Sequence, residues 1–217
     1  MQDTAERPRR TLARDERRQQ VIEATLLVIA TRGLARLTLA EVAREAGISH
    51  GLVLFHFESK ESLLSETLAY LADEYERNWK AALLGAGPGA ADRLHAMIEA
   101  DFNPAMTTPT RLAAWCAFWG EAQSRPFYQQ ICGERDVLQI RQMEELCLAL
   151  VQEGEYQLDP VHAARILRLV MEGTWVDMMT AETPYSAEEG RRTAETALSL
   201  CFANHFSFPG AGRLGRA

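Results

Sequence analysis

Residues 38–64 read TLAEVAREAGISHGLVLFHFESKESLL, and the punctuation of this stretch decides the fold. Thr38-Leu-Ala-Glu41 is a capping box: the Thr38 hydroxyl can accept from the amide of Glu41 while the Glu41 carboxylate reaches back to the amide of Thr38. Val42, Ala43 and Ala46 carry a short helix forward, and Gly47 stops it by tolerating a positive φ. Ile48 places an apolar side chain in the turn, and Ser49 is a fresh N-cap for a helix over residues 49–55. Ser59 caps a further helix that starts near Lys60 and can run to Leu84. Two short helices that cross steeply need a small residue at the crossing and apolar anchors on both sides. Ala43 supplies the first, and Val42, Val53 and Phe57 the second. This is the requirement of a helix-turn-helix, whose second helix lies in the major groove with its N-terminal residues at base edges. A plain helical hairpin is the bland alternative; the length and flanks of the motif favour DNA binding.

Working outward, residues 15–31 show a helical pattern, with Ile22, Leu26 and Ile29 on one face and Gly33 as the stop. Residues 1–13 are polar and rich in arginine (Arg7, Arg9, Arg10), which suits either a DNA-touching arm or an ordinary disordered terminus. Gly85-Ala-Gly-Pro-Gly-Ala90 reads as a linker. Helices are expected beyond it at 91–103, 109–124, 134–153, 160–181 and 187–205. Thr108-Pro109 and Asp159-Pro160 each place a cap before an N1 proline, and Ser186-Ala-Glu-Glu189 is a second capping box. Pro126 marks a break after Ser124. No alternating strand pattern occurs.

The expected fold is therefore all-α, with about nine helices: a three-helix helix-turn-helix domain followed by a helical bundle for ligand sensing and dimerisation. The boundaries read as an arm over 1–14, the DNA-binding domain over 15–58, the sensing domain over 59–208 and a disordered tail over 209–217.

Charge agrees with this division. The chain carries −7 overall, yet residues 1–60 hold 10 Lys/Arg against 8 Asp/Glu, and the remainder 13 against 22. A mildly basic head sits on an acidic body that need not touch DNA. No long uncharged apolar stretch and no signal peptide occurs, so the expectation is a cytoplasmic protein without membrane partners. Cys116, Cys132, Cys147 and Cys201 are scattered with no C-x-x-C pair, which fits buried thiols better than disulfides or zinc; no metal and no cofactor is expected. The histidines (50, 56, 95, 162, 205) are dispersed, and no H-E-x-x-H, G-x-S-x-G, P-loop or Rossmann fingerprint is present, so an enzyme is not indicated.

The stretch 15–65 resembles the TetR family of transcriptional regulators. The likeness rests on Thr38, Val42-Ala43, Ala46-Gly47-Ile48-Ser49, Gly51, Phe57, Ser59-Lys60-Glu61 and Leu63-Leu64 at that family's spacing. The resemblance implies that Thr38 caps its helix and meets a phosphate, and that Ser49, His50 and Gly51 face base edges. It also implies that Phe55 and His56 face the groove, and that Lys60 meets a phosphate at the start of the fourth helix. The sequence departs from the family at three positions. Leu54 stands where many members have a phosphate-bonding Tyr, Leu52 where Thr is common, and His50 where Lys or Arg is frequent. Leu52 can instead meet a thymine methyl; helix packing is the other reading of Leu54 and His50. A small-molecule-binding protein with a vestigial DNA-binding head is the corresponding alternative for the whole chain.

In the second half, Leu112, Trp115, Cys116 and Trp119 lie on one helix face, with Phe118 and Glu121 beside them. Phe102, Phe127, Met171, Glu172, Trp175 and Met178 add aromatic, thioether and carboxylate groups. Such stripes usually fill a core. Two tryptophans one turn apart with carboxylates nearby also suit a pocket for a small-molecule effector, and an aromatic cage with a carboxylate is a host for a cation. The segments 115–122, 171–175 and 183–189 are similar to the C-terminal domain of the BetI group, which includes a choline-responsive repressor. The resemblance implies a homodimer formed by the last two helices, through one stripe with Ile166, Val170 and Thr174 and another with Ala194, Leu198 and Cys201. An intrachain core is the alternative for both stripes. A two-fold dimer implies a pseudo-palindromic operator in double-stranded DNA, with half-sites about 34–36 Å apart or a multiple of that.

Overall fold

The computed structural model describes residues 6–121 and 126–208, which are helical with no strand among them. The helices are α1 (Glu6–Arg32), α2 (Leu39–Glu45), α3 (His50–Phe57), α4 (Lys60–Gly85), α5 (Ala90–Asp101), α6 (Pro109–Glu121), α7 (Pro126–Glu153), α8 (Pro160–Thr180) and α9 (Ala187–Cys201). A single 3-10 turn covers Leu34–Arg36. The chain divides into two compact units, residues 1–72 with 113–131 and residues 73–112 with 132–217.

In the first unit, α1 packs on α2 and α2 on α3. The buried face of α1 is Val21, Ile22, Leu26, Val28 and Ile29. Gly33 ends it at φ 80°, where a side chain would be strained. The Thr38 capping box forms as its spacing requires: the Glu41 amide donates to Thr38 Oγ1 (3.3 Å) and the Thr38 amide to Glu41 Oε2 (3.2 Å). Gly47, at φ 66°, turns the chain, and the Ile48 amide donates back to the Ala43 carbonyl (3.0 Å). These bonds satisfy the carbonyls that α2 leaves open. Ser49 caps α3 by accepting from the Leu52 amide (3.2 Å), and Ser59 caps α4 by accepting from the Ser62 amide (3.0 Å).

In the second unit, α9 packs on α8 and α5. Asp159 caps α8 through the Val161 and His162 amides, and Ser186 with Glu189 forms the second capping box. Gly190 is buried where α9 meets its neighbours. A β-carbon there would stand 2.8 Å from Phe102 Cε1 and 3.1 Å from Thr174 Cγ2, so only glycine permits this approach. Polar groups also tie α9 to α5: Glu195 accepts from Arg191 (2.5 Å) and lies 3.3 Å from His95 Nε2.

Three boundaries differ from expectation, among them the end of α9 at Cys201 rather than 205. Helix α1 begins at Glu6, so part of the stretch read as an arm is helical; residues 1–5 lie outside the described residues. Helix α7 begins at Pro126 rather than near 134. The expected break after Ser124 and the tail at 209–217 lie outside the described residues.

Candidate functional site

Helix α3 is anchored on one side and bare on the other. Val53 and Phe57 are 0% and 1% exposed, each burial contributing about 1.5–3 kcal/mol. Arg18 from α1 locks the helix end: its guanidinium lies 4.6 Å from the Phe57 ring centroid, donates to the His56 carbonyl and pairs with Glu66. Ser49, His50 and Gly51 lie at the start of α3 and are exposed, and Leu52 is half-buried. Leu54 is 36% exposed and Phe55 69%. Thr38 is exposed, with its hydroxyl engaged in the cap, and Lys60 is half-buried at the first position of α4.

His56 departs from its expected groove-facing role. It is buried, and its Nδ1 has no hydrogen-bond partner among the described residues. Desolvation depresses its pKa, and Arg18, Arg14 and Arg17 add to that, so the ring is held neutral. The reason is helical phase: His56 follows Phe55 by a turn of about 100°, which brings it round to the packed side with Val53 and Phe57.

The second unit contains a buried carboxylate that the sequence pattern did not single out. Asp101, the last residue of α5, is 4% exposed. Tyr75 of α4 donates its hydroxyl to Asp101 Oδ1 (2.8 Å), and Gln139 of α7 donates to the Tyr75 hydroxyl oxygen (2.5 Å). Trp175 of α8 donates Nε1–H to the Asp101 carbonyl (3.2 Å) and meets the Tyr75 ring edge-on at 5.9 Å. Among the described residues no cation pairs with this carboxylate. Burial pushes its pKa up to about 7; the Tyr75 hydrogen bond opposes the rise, and Glu172 adds to it. Asp136 of α7 is also raised, to about 6, by burial and then by Glu172, with Arg168 opposing. The helix C-terminus adds unfavourable carbonyl dipoles at Asp101. A carboxyl group that burial pushes towards its neutral, protonated form thus lies in the interior beside the Tyr75 and Trp175 rings.

Residues 21–67 match the family model for bacterial regulatory proteins of the tetR family, and residues 90–203 match that for the BetI-type transcriptional repressor, C-terminal. The HTH-type transcriptional regulator BetI of Paraburkholderia xenovorans is 30% identical over 88% of this chain and 96% of its own length. This chain belongs to the TetR family of transcriptional regulators, with a BetI-type C-terminal domain. A second relative, HTH-type transcriptional regulator BetI 2 of Chromohalobacter salexigens, is 30% identical over 87% of this chain and 90% of its own. Among solved structures, a transcriptional regulator of Pseudomonas aeruginosa PAO1 superposes with a TM-score of 0.73, at 26% identity over 90% of this chain and 95% of that one. A Saccharomonospora viridis regulator solved in complex with choline has the same fold (TM-score 0.67, 21% identity, 83% and 94% covered).

The regulator's other expected site residues divide between its units. In the first, Trp115 and Phe118 are buried, Trp119 lies 5.8 Å from Trp115 and donates to the Tyr128 hydroxyl (3.0 Å), and Glu121 is half-buried. The Phe127 side chain lies outside the described residues. In the second, Met171 and Trp175 are buried, and Phe102 and Met178 pack over Gly190. Glu172 accepts from Arg168 (2.7 Å). Sequence reasoning missed Tyr75, Asp101, Asp136 and Gln139. One signal was available: an Asp in the last turn of a helix opposes the helix dipole, a local conflict of the kind found at functional sites.

The expected dimer stripes need correction. Thr174, Ala194 and Leu198 are buried within the chain, where α8 and α9 pack on each other, so they are not available to a second copy. Val170 and Cys201 are half-buried. The exposed apolar stripe on α8 runs through Ile166, Leu169 and Val176, at 45%, 52% and 42% exposure, with Leu200 of α9 at 69%. No helix among the described residues is long and apolar enough to cross a membrane.

Proposed function

We propose that the protein acts as a two-fold dimer that seats its two α3 helices in the major groove of a pseudo-palindromic operator and is released or tightened by a small cationic effector bound beside Asp101. The observation that carries the DNA half is the contrast on α3. Val53 and Phe57 are fully packed, while Leu54 and Phe55 face outward on the helix that Ser49, His50 and Gly51 open. An exposed phenylalanine on a short, rigidly anchored helix suits van der Waals contact with thymine methyls, and Ser49 and His50 supply hydrogen bonds to base edges. Thr38 and Lys60 are assigned to phosphate contacts on either side.

The dimer is assigned to the outward stripe of α8 with Leu200 of α9. The effector is assigned to the second unit, because a buried carboxylate without a cationic partner among the described residues, next to Tyr75 and Trp175, is a host for positive charge. The choline bound by the Saccharomonospora viridis regulator is a ligand of that chemical class. Coupling follows from continuity: Tyr75 and Lys60 lie on one helix, Lys60–Gly85, so a cation that changes the setting of Tyr75 acts on the helix whose first residue follows the helix-turn-helix.

The test begins with genome-wide recovery of bound DNA, followed by fluorescence anisotropy on the recovered site. Phe55→Ala should weaken operator binding by about tenfold or more with little change in melting temperature, since Phe55 is 69% exposed and meets the neighbouring His56 ring edge-on. Leu169→Glu should give a monomer in sedimentation velocity. Operator affinity that stays flat with every ammonium compound shown to bind would remove the effector half of the reading. Operator affinity untouched by Phe55→Ala would remove the assignment of α3.

A further inference from the structure

Resting on the reading of Asp101 as the counter-ion of a cationic effector, we infer that the effector enters in exchange for a proton on Asp101, so that acid and effector compete for one buried carboxylate. The geometry supplies the argument. Asp101 is 4% exposed, and among the described residues the side chain that hydrogen-bonds its carboxylate is the Tyr75 phenol. An ionised carboxylate in that setting lacks both water and a counter-charge, which is costly, and the group relieves the cost by holding a proton.

The groups that face it do not change this. From α4 comes the Tyr75 phenol, which stays protonated because burial and Asp101 itself push its pKa well up. From α7 comes Gln139, which is neutral and donates to Tyr75. From α8 come Trp175, which is neutral, and Glu172, which is acidic; the Arg168 guanidinium is already engaged by Glu172. No basic side chain among these can take the proton of Asp101, so the proton leaves to solvent when the cation arrives. The balance is a carboxylic acid plus a cation going to a carboxylate–cation pair plus one proton in the buffer.

The consequence is a linkage with a definite sign. Protonation of Asp101 centres at about pH 7. Below that value the effector must displace a proton, and its dissociation constant rises about tenfold for each pH unit of acidification. Above it the carboxylate is already ionised and the affinity is level. The regulator would therefore need more effector to respond in an acidified cell than in a neutral one.

Calorimetric titration of the full-length protein with choline and with tetramethylammonium, each in two buffers of different ionisation enthalpy, reads the exchange directly. The expected result is about one proton released per cation bound near pH 6, falling towards none near pH 8.5. Asp101→Asn should bind the cation weakly, with no proton release and no pH dependence. Tyr75→Phe is the second variant: removing the hydroxyl that opposes protonation should move the bend in the affinity profile to higher pH while keeping the exchange. Equal affinity and no proton release at both pH values overturns the inference, as does a bend that stays in place in Tyr75→Phe. Failure of both cations to bind the unmodified protein overturns this inference and the cationic effector together, while operator binding measured without effector leaves the DNA reading standing. Proton-coupled binding that does not alter operator affinity keeps the exchange and removes only the proposed control of DNA binding.

Discussion

Replacing Asp101 by asparagine should stabilise the effector-free protein at alkaline pH and fail to do so in acid. The folded carboxyl titrates at about 7 against an ordinary value of 3.8, so the native state holds the proton more tightly than the unfolded chain. For an acid whose native pKa is raised, the stabilising contribution is complete below about pH 4 and is lost as pH rises through the native value, near 7. A rise of about three pH units corresponds to about 4 kcal/mol between those limits. The group is fully buried, so solvent screening takes little from this figure. Between about pH 5 and pH 8 the natural protein should lose about 3 kcal/mol of stability that the asparagine variant, which does not titrate, retains. Asparagine keeps an acceptor for the Tyr75 hydroxyl but brings an amide donor with no partner, at a pH-independent cost of about 1–3 kcal/mol. The variant should therefore be the less stable protein below about pH 4, close to the natural protein near pH 5 and the more stable one near pH 8. Urea denaturation followed by tryptophan fluorescence, at fixed protomer concentration, measures the difference at each pH. An unchanged difference at the two values would show that Asp101 is not protonated in the native state, and the electrostatic account of the site would fall.

Three further outcomes follow from packing and capping. Gly190→Ala should cost about 1–3 kcal/mol, because the new methyl meets the Phe102 ring at 2.8 Å and Thr174 at 3.1 Å; a thermal melt at or above that of the natural protein would show that α9 has room to shift. Thr38→Ala removes the hydroxyl that accepts from the Glu41 amide and should cost about 1 kcal/mol in chemical denaturation, and Thr38→Ser should restore most of it. Phe57→Ala should cost about 3–5 kcal/mol and abolish operator binding through loss of the head, in contrast to Phe55→Ala; equal melting temperatures for the two variants would contradict the division of α3 into a packed and a reading face.

Short-range patterns in the chain were enough to settle the helices and most of their ends. Thr38 with Glu41, Ser186 with Glu189 and Asp159 before Pro160 are signals spanning three residues or fewer, and the bonds they imply all form. The turn at Gly47 and the anchors Val53 and Phe57 were legible for the same reason: a positive φ and a helical apolar spacing are local properties. Which side chains lose their water was settled by the folded chain instead. His56 was one residue out of phase with the reading face, and the packing of α3 buried it. Thr174, Ala194 and Leu198 formed stripes that could have met a second subunit or each other, and α8 and α9 of one chain took them. Asp101 looked like an ordinary polar residue at a helix end until Tyr75 and Gln139, distant in sequence, closed over it. Hydrogen-bond punctuation acts over a few residues and is written in the sequence, whereas desolvation is set by whichever helices arrive from far along the chain, and it is desolvation that gives the buried carboxylate its chemistry.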